Sequence, residues 1–288
     1  MNRINVAIQG GPSSFHDAAA NALHPNKAIT TVPCTTFGSL CAALAQGEVD
    51  AAVMAIENTL AGSLLPNYTL LQEHKLLATA EMWLPIDQNL MALPGQKLED
   101  IHTVISHPVA LAQCSRFLQQ HPHLTPQETH DTADSAKAIQ EQQLQGVAAI
   151  AGSAAASRYK LELLQELVAD TPNNFTRFLL LQREPAAPAT ANKAILVFQK
   201  PLHTSTLTLA LSLLQKNQVE VQLLQTLPAA DSRAKLVAEL EATHIEQLQE
   251  AIAHIRPLLE ELHVLGLLQK AALPAPITQQ ETQETAIL

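Results

Sequence analysis

Residues 51–56 (AAVMAI) form an unbroken apolar run, and this run limits the fold more tightly than any other stretch of the chain. It is too short for an amphipathic helix, and a strand with no polar alternation has to be covered on both faces. Helices on either side of a sheet supply that cover, so the first half of the chain reads as α/β. The neighbouring segments agree. Ile4–Gln9 reads as a buried strand, Gly10-Gly11-Pro12 as a turn, and Ser13 or Ser14 as the cap of a helix from Phe15 to about Leu23. A strand at 29–33 follows. Phe37, Leu40, Cys41 and Leu44 then recur at helical spacing and stop at Gly47.

A second unit is expected from about Ala78, with extended segments around Pro85 and a short strand ending at Val104-Ile105. Ser106-His107-Pro108 opens a helix to about Gln120, with Pro108 suited to its first position. A helix near 135–144, a strand at Val147–Ala151, a helix from Ser153 and a strand at 174–182 complete this half. Residues 183–192 (REPAAPATAN) lack periodicity and large apolar side chains, and read as a linker. Beyond it, strands at 194–198, 219–226, 235–240 and near His263–Leu268 alternate with helices at 205–217 and Ile245–Ile255. That order, βαββαβ over residues 193–270, is ferredoxin-like. The Gln- and Thr-rich tail, 271–288, is expected to be disordered.

Composition excludes several classes of function. A net charge of −10 argues against nucleic acid and anionic membrane as partners. An anionic small molecule would need local positive groups. The three cysteines, Cys34, Cys41 and Cys114, form no CxxC pair, so neither a disulfide framework nor a zinc site of that type is expected. The N-terminal run does not fit a signal peptide, no span of about 18 apolar residues occurs, and a cytoplasmic location is expected. GxGxxG, GxxxxGK[ST], GxSxG and HExxH are all absent. His121 and His123 flank a proline in a polar loop without a third ligand nearby, so no metal site is expected. Gly10-Gly11-Pro12-Ser13-Ser14 at a strand-to-helix turn suits an anion, and equally a helix cap.

Four segments carry a more specific signal. Ala55-Ile56-Glu57-Asn58-Thr59 with Gly62-Ser63, Leu84-Pro85-Ile86-Asp87, Ser106-His107-Pro108-Val109-Ala110-Leu111-Ala112-Gln113-Cys114, and Asp170-Thr171-Pro172-Asn173-Asn174-Phe175-Thr176-Arg177-Phe178 stand in this order. Together they resemble the motifs of the prephenate dehydratase family, over about residues 4 to 180, and the following unit resembles the ACT regulatory domain of that family. There are departures. The first family motif, GPxGTFS, becomes Gly10-Gly11-Pro12-Ser13-Ser14-Phe15-His16, and the proline and serine around the IENS stretch become Ala55 and Thr59.

The resemblance implies a two-lobed catalytic domain over residues 1–182, like a periplasmic binding protein, with the active site between the lobes. Lobe one would hold 1–77 and 165–182, and lobe two 78–164. Prephenate would be the substrate, and loss of CO2 and water would yield phenylpyruvate. Decarboxylation supplies the electrons that expel the hydroxyl, so neither metal nor cofactor is implied. Arogenate, with an amino group in place of the keto oxygen, is the rival substrate, and a non-catalytic amino-acid sensor is the rival class.

Thr176 is the implied catalytic residue, assisting departure of the hydroxyl by hydrogen bonding. Arg177 is the implied carboxylate anchor, with an internal salt bridge to Glu57 or Asp170 as its competing role. Neighbours on a strand face opposite ways, so only one of Thr176 and Arg177 can face substrate. Ser106 at a helix start, Gln113 two turns on, and Asn58, Thr59, Ser14, Glu57, Asn174 and Phe178 complete the substrate-contacting set. Phe178 and His107 are expected to pack and to open the helix, respectively, and not to react.

Phenylalanine-binding ACT domains carry GAL and ESRP segments. The matching positions are Ser205-Thr206-Leu207 and Gln225-Thr226-Leu227-Pro228. Without the glycine, glutamate and arginine, this unit is expected mainly to assemble a homodimer or homotetramer, with weak or no response to phenylalanine.

Overall fold

The computed structural model describes residues 3–184, 188–201, 203–228 and 234–275. Part of the expected linker, 185–187, and most of the expected disordered tail, from 276 onward, lie outside the described residues. The elements follow in chain order. Lobe one begins with β1 (Ile4–Gln9), α1 (Phe15–Leu23), β2 (Ile29–Cys34), α2 (Phe37–Gln46), β3 (Ala51–Asn58), β4 (Gly62–Ser63), α3 (Leu65–Glu73) and β5 (Leu77–Pro85). Lobe two holds β6 (Asn89–Ala92), β7 (Thr103–Ser106), α4 (Pro108–Gln113), α5 (Ser115–Gln120), β8 (Thr125–Glu128), α6 (Thr132–Gln142), β9 (Val147–Ala151), α7 (Ser153–Tyr159) and β10 (Glu162–Gln165). The chain then returns as β11 (Phe175–Gln182). The C-terminal unit is β12 (Lys193–Gln199), α8 (Thr204–Lys216), β13 (Glu220–Leu227), β14 (Lys235–Glu241), α9 (Ile245–Ile255) and β15 (His263–Leu268).

Two sheets organise these elements. One has ten strands in the order β13-β14-β12-β15-β5-β11-β3-β1-β2, with β4 on β3; the other has five, β10-β6-β9-β7-β8. The apolar run forms β3 from its first residue, and every residue from Ala51 to Ile56 is buried. Met54 and Ile56 pack with Leu40, Leu44 and Leu71. Val53 and Ala55 pack on the other face, with Ala19 and Ala20 of α1.

β11 lies antiparallel between β3 and β5, and this pairing corrects the expected lobe boundary. β5 runs the whole length of β11, from Leu77 opposite Gln182 to Pro85 opposite Phe175, so it belongs to lobe one. The crossing to lobe two falls at residues 86–88, not near Ala78. The return falls after β10, which pairs with β6 in the second sheet. The helix expected from 106 to 120 is also two helices, broken at Cys114, whose φ of −113° and ψ of 25° depart from the helical region.

Register along β11 decides which side chains can meet. Thr176 faces Asn58 and Arg177 faces Glu57, but Phe178 faces Ala55, so Ile56 is the extra residue of a bulge. Ile56 and Glu57 therefore share one face of β3, and Asn58 returns to the face of Ala55. Without the bulge Asn58 would point away from it.

The C-terminal unit has the expected βαββαβ order, with strands β13-β14-β12-β15. Its helices cover one face, where Leu248, Ala251 and Ile255 pack on Ala194, Leu196 and Ala238. The other face is buried against lobe one: Ile195, Val197, Val237 and Leu265 share a core with Leu71, Leu76 and Leu179. The strands of this unit join those of lobe one in a single sheet where Gly266 of β15 pairs with Ala78 of β5. A Cβ on Gly266 would stand 2.6 Å from the Ala78 carbonyl oxygen and 2.9 Å from its Cβ. Gly266→Ala is therefore expected to cost about 1–3 kcal/mol through overpacking, a loss of roughly 2–10 °C in Tm. Thermal unfolding of the variant at the wild-type Tm would show that the joint yields freely.

Candidate active site

The lobes face each other across a cavity of about 310 Å³. That size lies at the small end of the range for ligand pockets. Lobe one contributes Ser14, Phe15, His16, Asn58, Thr176 and Phe178, lobe two His107, Gln113, His130, Asp131 and Thr132, and the crossing segment Gln88.

Thr176 sits in this cavity with its hydroxyl oriented by Asn58. The Asn58 side-chain oxygen accepts the backbone N–H groups of Leu60 at 2.9 Å and Ala61 at 3.0 Å. This fixes the amide, so its NH2 group turns to the Thr176 Oγ1 at 3.0 Å and to the Asn174 Oδ1 at 2.7 Å. A hydroxyl that accepts in this way keeps its own hydrogen for a third group, and accepting polarises it for donation. The Asn174 NH2 group in turn donates to Gln113 Oε1 across the lobes at 3.1 Å. Gln113, Asn174, Asn58 and Thr176 thus form one chain of amides and a hydroxyl. Asn174 is buried and acts through its neighbours; it is not among the residues lining the cavity.

Four expected contacts are corrected. Arg177 points to the opposite face of β11 and is only 2% exposed. Its guanidinium donates to Glu81 at 2.8 Å and to both carboxylate oxygens of Glu239, at 2.7 and 2.9 Å. Its Nε lies 3.0 Å from Glu57, so Glu57 also faces away from the cavity. Of the competing roles, the bridge to Glu57 is present. Asp170 instead accepts from Ser115 and from the Arg116 N–H. Ser106 is fully buried, and its hydroxyl donates to the Ile150 carbonyl at 2.6 Å, between β7 and β9. Thr59 accepts the Phe175 N–H at 2.9 Å and donates to the Asn173 carbonyl, so it ties the end of β3 to the start of β11 and is not among the residues lining the cavity. Of the remaining members, Asn58, Gln113, Ser14 and Phe178 line the cavity, and Asn174 stands behind it. Ser14 caps α1 by accepting the Asp17 N–H, and Phe178 packs edge-on against His16, with ring centres 4.9 Å apart.

His16 stands where the family motif has serine. Burial lowers its pKa to about 3, and its Nε2 accepts the Ala55 N–H at 3.3 Å. It is a neutral aromatic wall, not an acid or base. Asp131, Gln88, His130 and Thr132 were not expected from sequence. The signal available for Asp131 was its place before Thr132, as the N-cap of α6.

The effector-site positions of the C-terminal unit fall at the start of α8 (Ser205, Thr206, Leu207) and along β13 (Gln225, Thr226, Leu227). Leu227 is buried in the core shared with lobe one. Leu207 packs on the unit's own core.

Fold and cavity together define a two-lobed α/β protein with a cavity of small-molecule size between its lobes and a βαββαβ unit packed on lobe one. The chain belongs to the prephenate dehydratase family, whose model matches residues 6–186. It is 35% identical over 284 residues to arogenate dehydratase 2 of Petunia hybrida, covering 92% of this chain and 71% of that protein. The structure of a prephenate dehydratase in complex with L-Phe from Arthrobacter aurescens is 25% identical, with a TM-score of 0.83, over 99% of this chain and 96% of that one. GqqA, described as a novel type of quorum quenching acylase, is 28% identical with a TM-score of 0.81, over 96% and 99% of the two chains.

The ion cluster yields a test. Burial alone would raise the Glu239 pKa, but Arg177 and then Lys193 outweigh it and bring it down to about 2, from an ordinary 4.5. A carboxyl depressed in the folded state stabilises fully above its unfolded value, and that contribution is lost as pH falls through the folded value. Glu239→Gln is expected to cost about 3–5 kcal/mol at neutral pH, because it leaves buried cations short of charge. The Tm gap between wild type and variant should narrow as pH falls from about 4.5 to 2. A gap independent of pH would refute this assignment.

Proposed function

We propose that this chain catalyses the decarboxylative dehydration of prephenate, or of its amino counterpart arogenate, in phenylalanine biosynthesis. One observation carries the reading: Thr176 is oriented by the Asn58 amide so that its O–H is left to donate into the cavity. The C–CO2 bond breaks, its electron pair moves through the ring, and the C–O bond opposite breaks. The departing oxygen takes a proton and leaves as water, and the ring becomes aromatic. The group that matters most is a donor at that oxygen, and Thr176 supplies it. No carbon-bound proton has to be removed, in keeping with a cavity whose described residues pair no base with Thr176. An acylase reaction would require a base to activate the threonine, and an amide is not one.

Asn58 and Asn174 position the threonine, and Gln113 brings lobe two to the same group. Ser14 at the start of α1 offers a hydroxyl and the positive end of a helix to a substrate carboxylate. The C-terminal unit is read as an ACT domain that contributes to assembly of a homodimer or homotetramer.

Thr176→Ala is expected to lower kcat by roughly 10²–10⁴, with a smaller change in KM, while Thr176→Ser keeps much more of the activity. Steady-state kinetics decide it, and an alanine variant within a few-fold of wild type would sink the assignment. Phenylalanine is expected to bind weakly and to inhibit little, because Ser205, Gln225 and Leu227 supply no ion pair for an amino acid. Calorimetry showing tight binding together with strong inhibition would overturn that reading.

A further inference from the structure

The substrate cavity is short of positive charge. Among the described residues that line it there is no lysine or arginine. Arg177 faces the other way, and burial keeps His16 neutral. His107 spends its Nδ1 in accepting the Val109 N–H.

Acceptors stand there instead. Asp131 uses one carboxylate oxygen to cap α6, accepting from Ala133 at 2.8 Å and Asp134 at 3.1 Å. Its other oxygen reaches across to lobe one, where a Cβ on Gly10 would come within 2.9 Å of it. Gly10 has φ of +84°, so the turn that admits this carboxylate depends on glycine. The carboxyl of Asp134 lies nearby, 3.0 Å from the Cβ position of Gly11. Gln88 is 3% exposed and lines the same cavity, and its side-chain oxygen is buried without a hydrogen-bond partner. A buried acceptor with no donor is an arrangement that a ligand's donor relieves. Burial also raises the pKa of Asp131, and the N–H groups of its helix and His107 only partly oppose this. No lysine or arginine among the described residues lining the cavity stands opposite this carboxylate.

We propose that Asp131, together with Gln88, receives the ammonium group of an amino substrate, so that the cavity prefers arogenate to prephenate. The inference rests on the dehydratase reading and sharpens it. The two substrates share the ring carboxylate, the leaving hydroxyl and the side-chain carboxylate, so the role of Thr176 is the same for both. They differ at one group. Arogenate brings three N–H donors and a positive charge; prephenate brings a keto oxygen, a further acceptor facing acceptors. Asp131 and Gln88 are therefore specificity-determining residues and take no part in breaking bonds.

The experiment compares kcat/KM for arogenate and prephenate in the full chain and in Asp131→Asn. Asparagine caps a helix as well as aspartate does, so the substitution removes charge and keeps the cap. The wild type is expected to favour arogenate by about tenfold or more. Asp131→Asn should lower kcat/KM for arogenate by about 10–100-fold, mainly through KM, and raise that for prephenate a few-fold. Gln88→Met should shift the ratio in the same direction by a smaller factor, which keeps the test open if the first variant unfolds. A wild type that prefers prephenate overturns the inference. So does a variant pair that lowers both substrates equally, since that is the mark of a cap alone. A wild type that turns over neither compound overturns the dehydratase reading itself, and this inference with it.

Discussion

The arginine at position 177 is the charge around which the chain is assembled. It is buried among Glu57 on β3, Glu81 on β5 and Glu239 on β14, with Lys193 on β12 bonded to Glu81 and Glu239. Tyr68 of α3 completes the ring by donating to Glu239. Burying one such charge unpaired would cost several kcal/mol, and the cluster holds only because each member meets an opposite charge or a hydroxyl. Five strands and a helix are thereby held at fixed distances. Two of the members, Arg177 and Glu57, are the immediate neighbours of Thr176 and Asn58. What fixes the first pair on one face of the sheet fixes the second pair on the other.

The bulge at Ile56 makes that arrangement possible. Strict alternation would place Asn58 and Ala55 on opposite faces, and the amide would miss the threonine. One extra residue restores Asn58 to the cavity while leaving Glu57 with its arginine. The sheet spends one irregularity on the position where structural charge and substrate chemistry meet. Irregular pairing beside a site is common because it re-aims a side chain without disturbing the strands around it.

Much of this was legible in the residues, for local reasons. The run at 51–56 required cover on both faces and has it. Helix ends are legible at the Ser13-Ser14 pair, of which Ser14 is the cap, and at Pro108 and Gly47, because caps act within a few residues. Alternation says that Thr176 and Arg177 cannot both face the cavity, and the two do face apart. The failures come from long range. Arg177 finds Glu81 and Glu239 at sequence separations of 96 and 62, and no local pattern reports such partners. Ser106 looked like a helix-start ligand, but its hydroxyl is taken by a carbonyl of β9. β5 was assigned to lobe two because its composition cannot tell which sheet it will join; the pairing along β11 decides that. Asp131 is not legible as a cavity residue, because a helix cap and a cavity-lining carboxylate look the same in one dimension.

The join between the C-terminal unit and lobe one has a consequence for inheritance. Residues 183–192 mark a border in the sequence, but the structure places none there: the core is continuous, Gly266 lies against Ala78, and two members of the ion cluster come from beyond the border. A recombination event that brought in another βαββαβ unit would have to bring a glycine, a lysine and a glutamate at matching positions. Otherwise it would leave Arg177 with unbalanced neighbours and β5 with a clash. The two parts are bound to change together over time, and the unit that looks most detachable is among the least free to be exchanged.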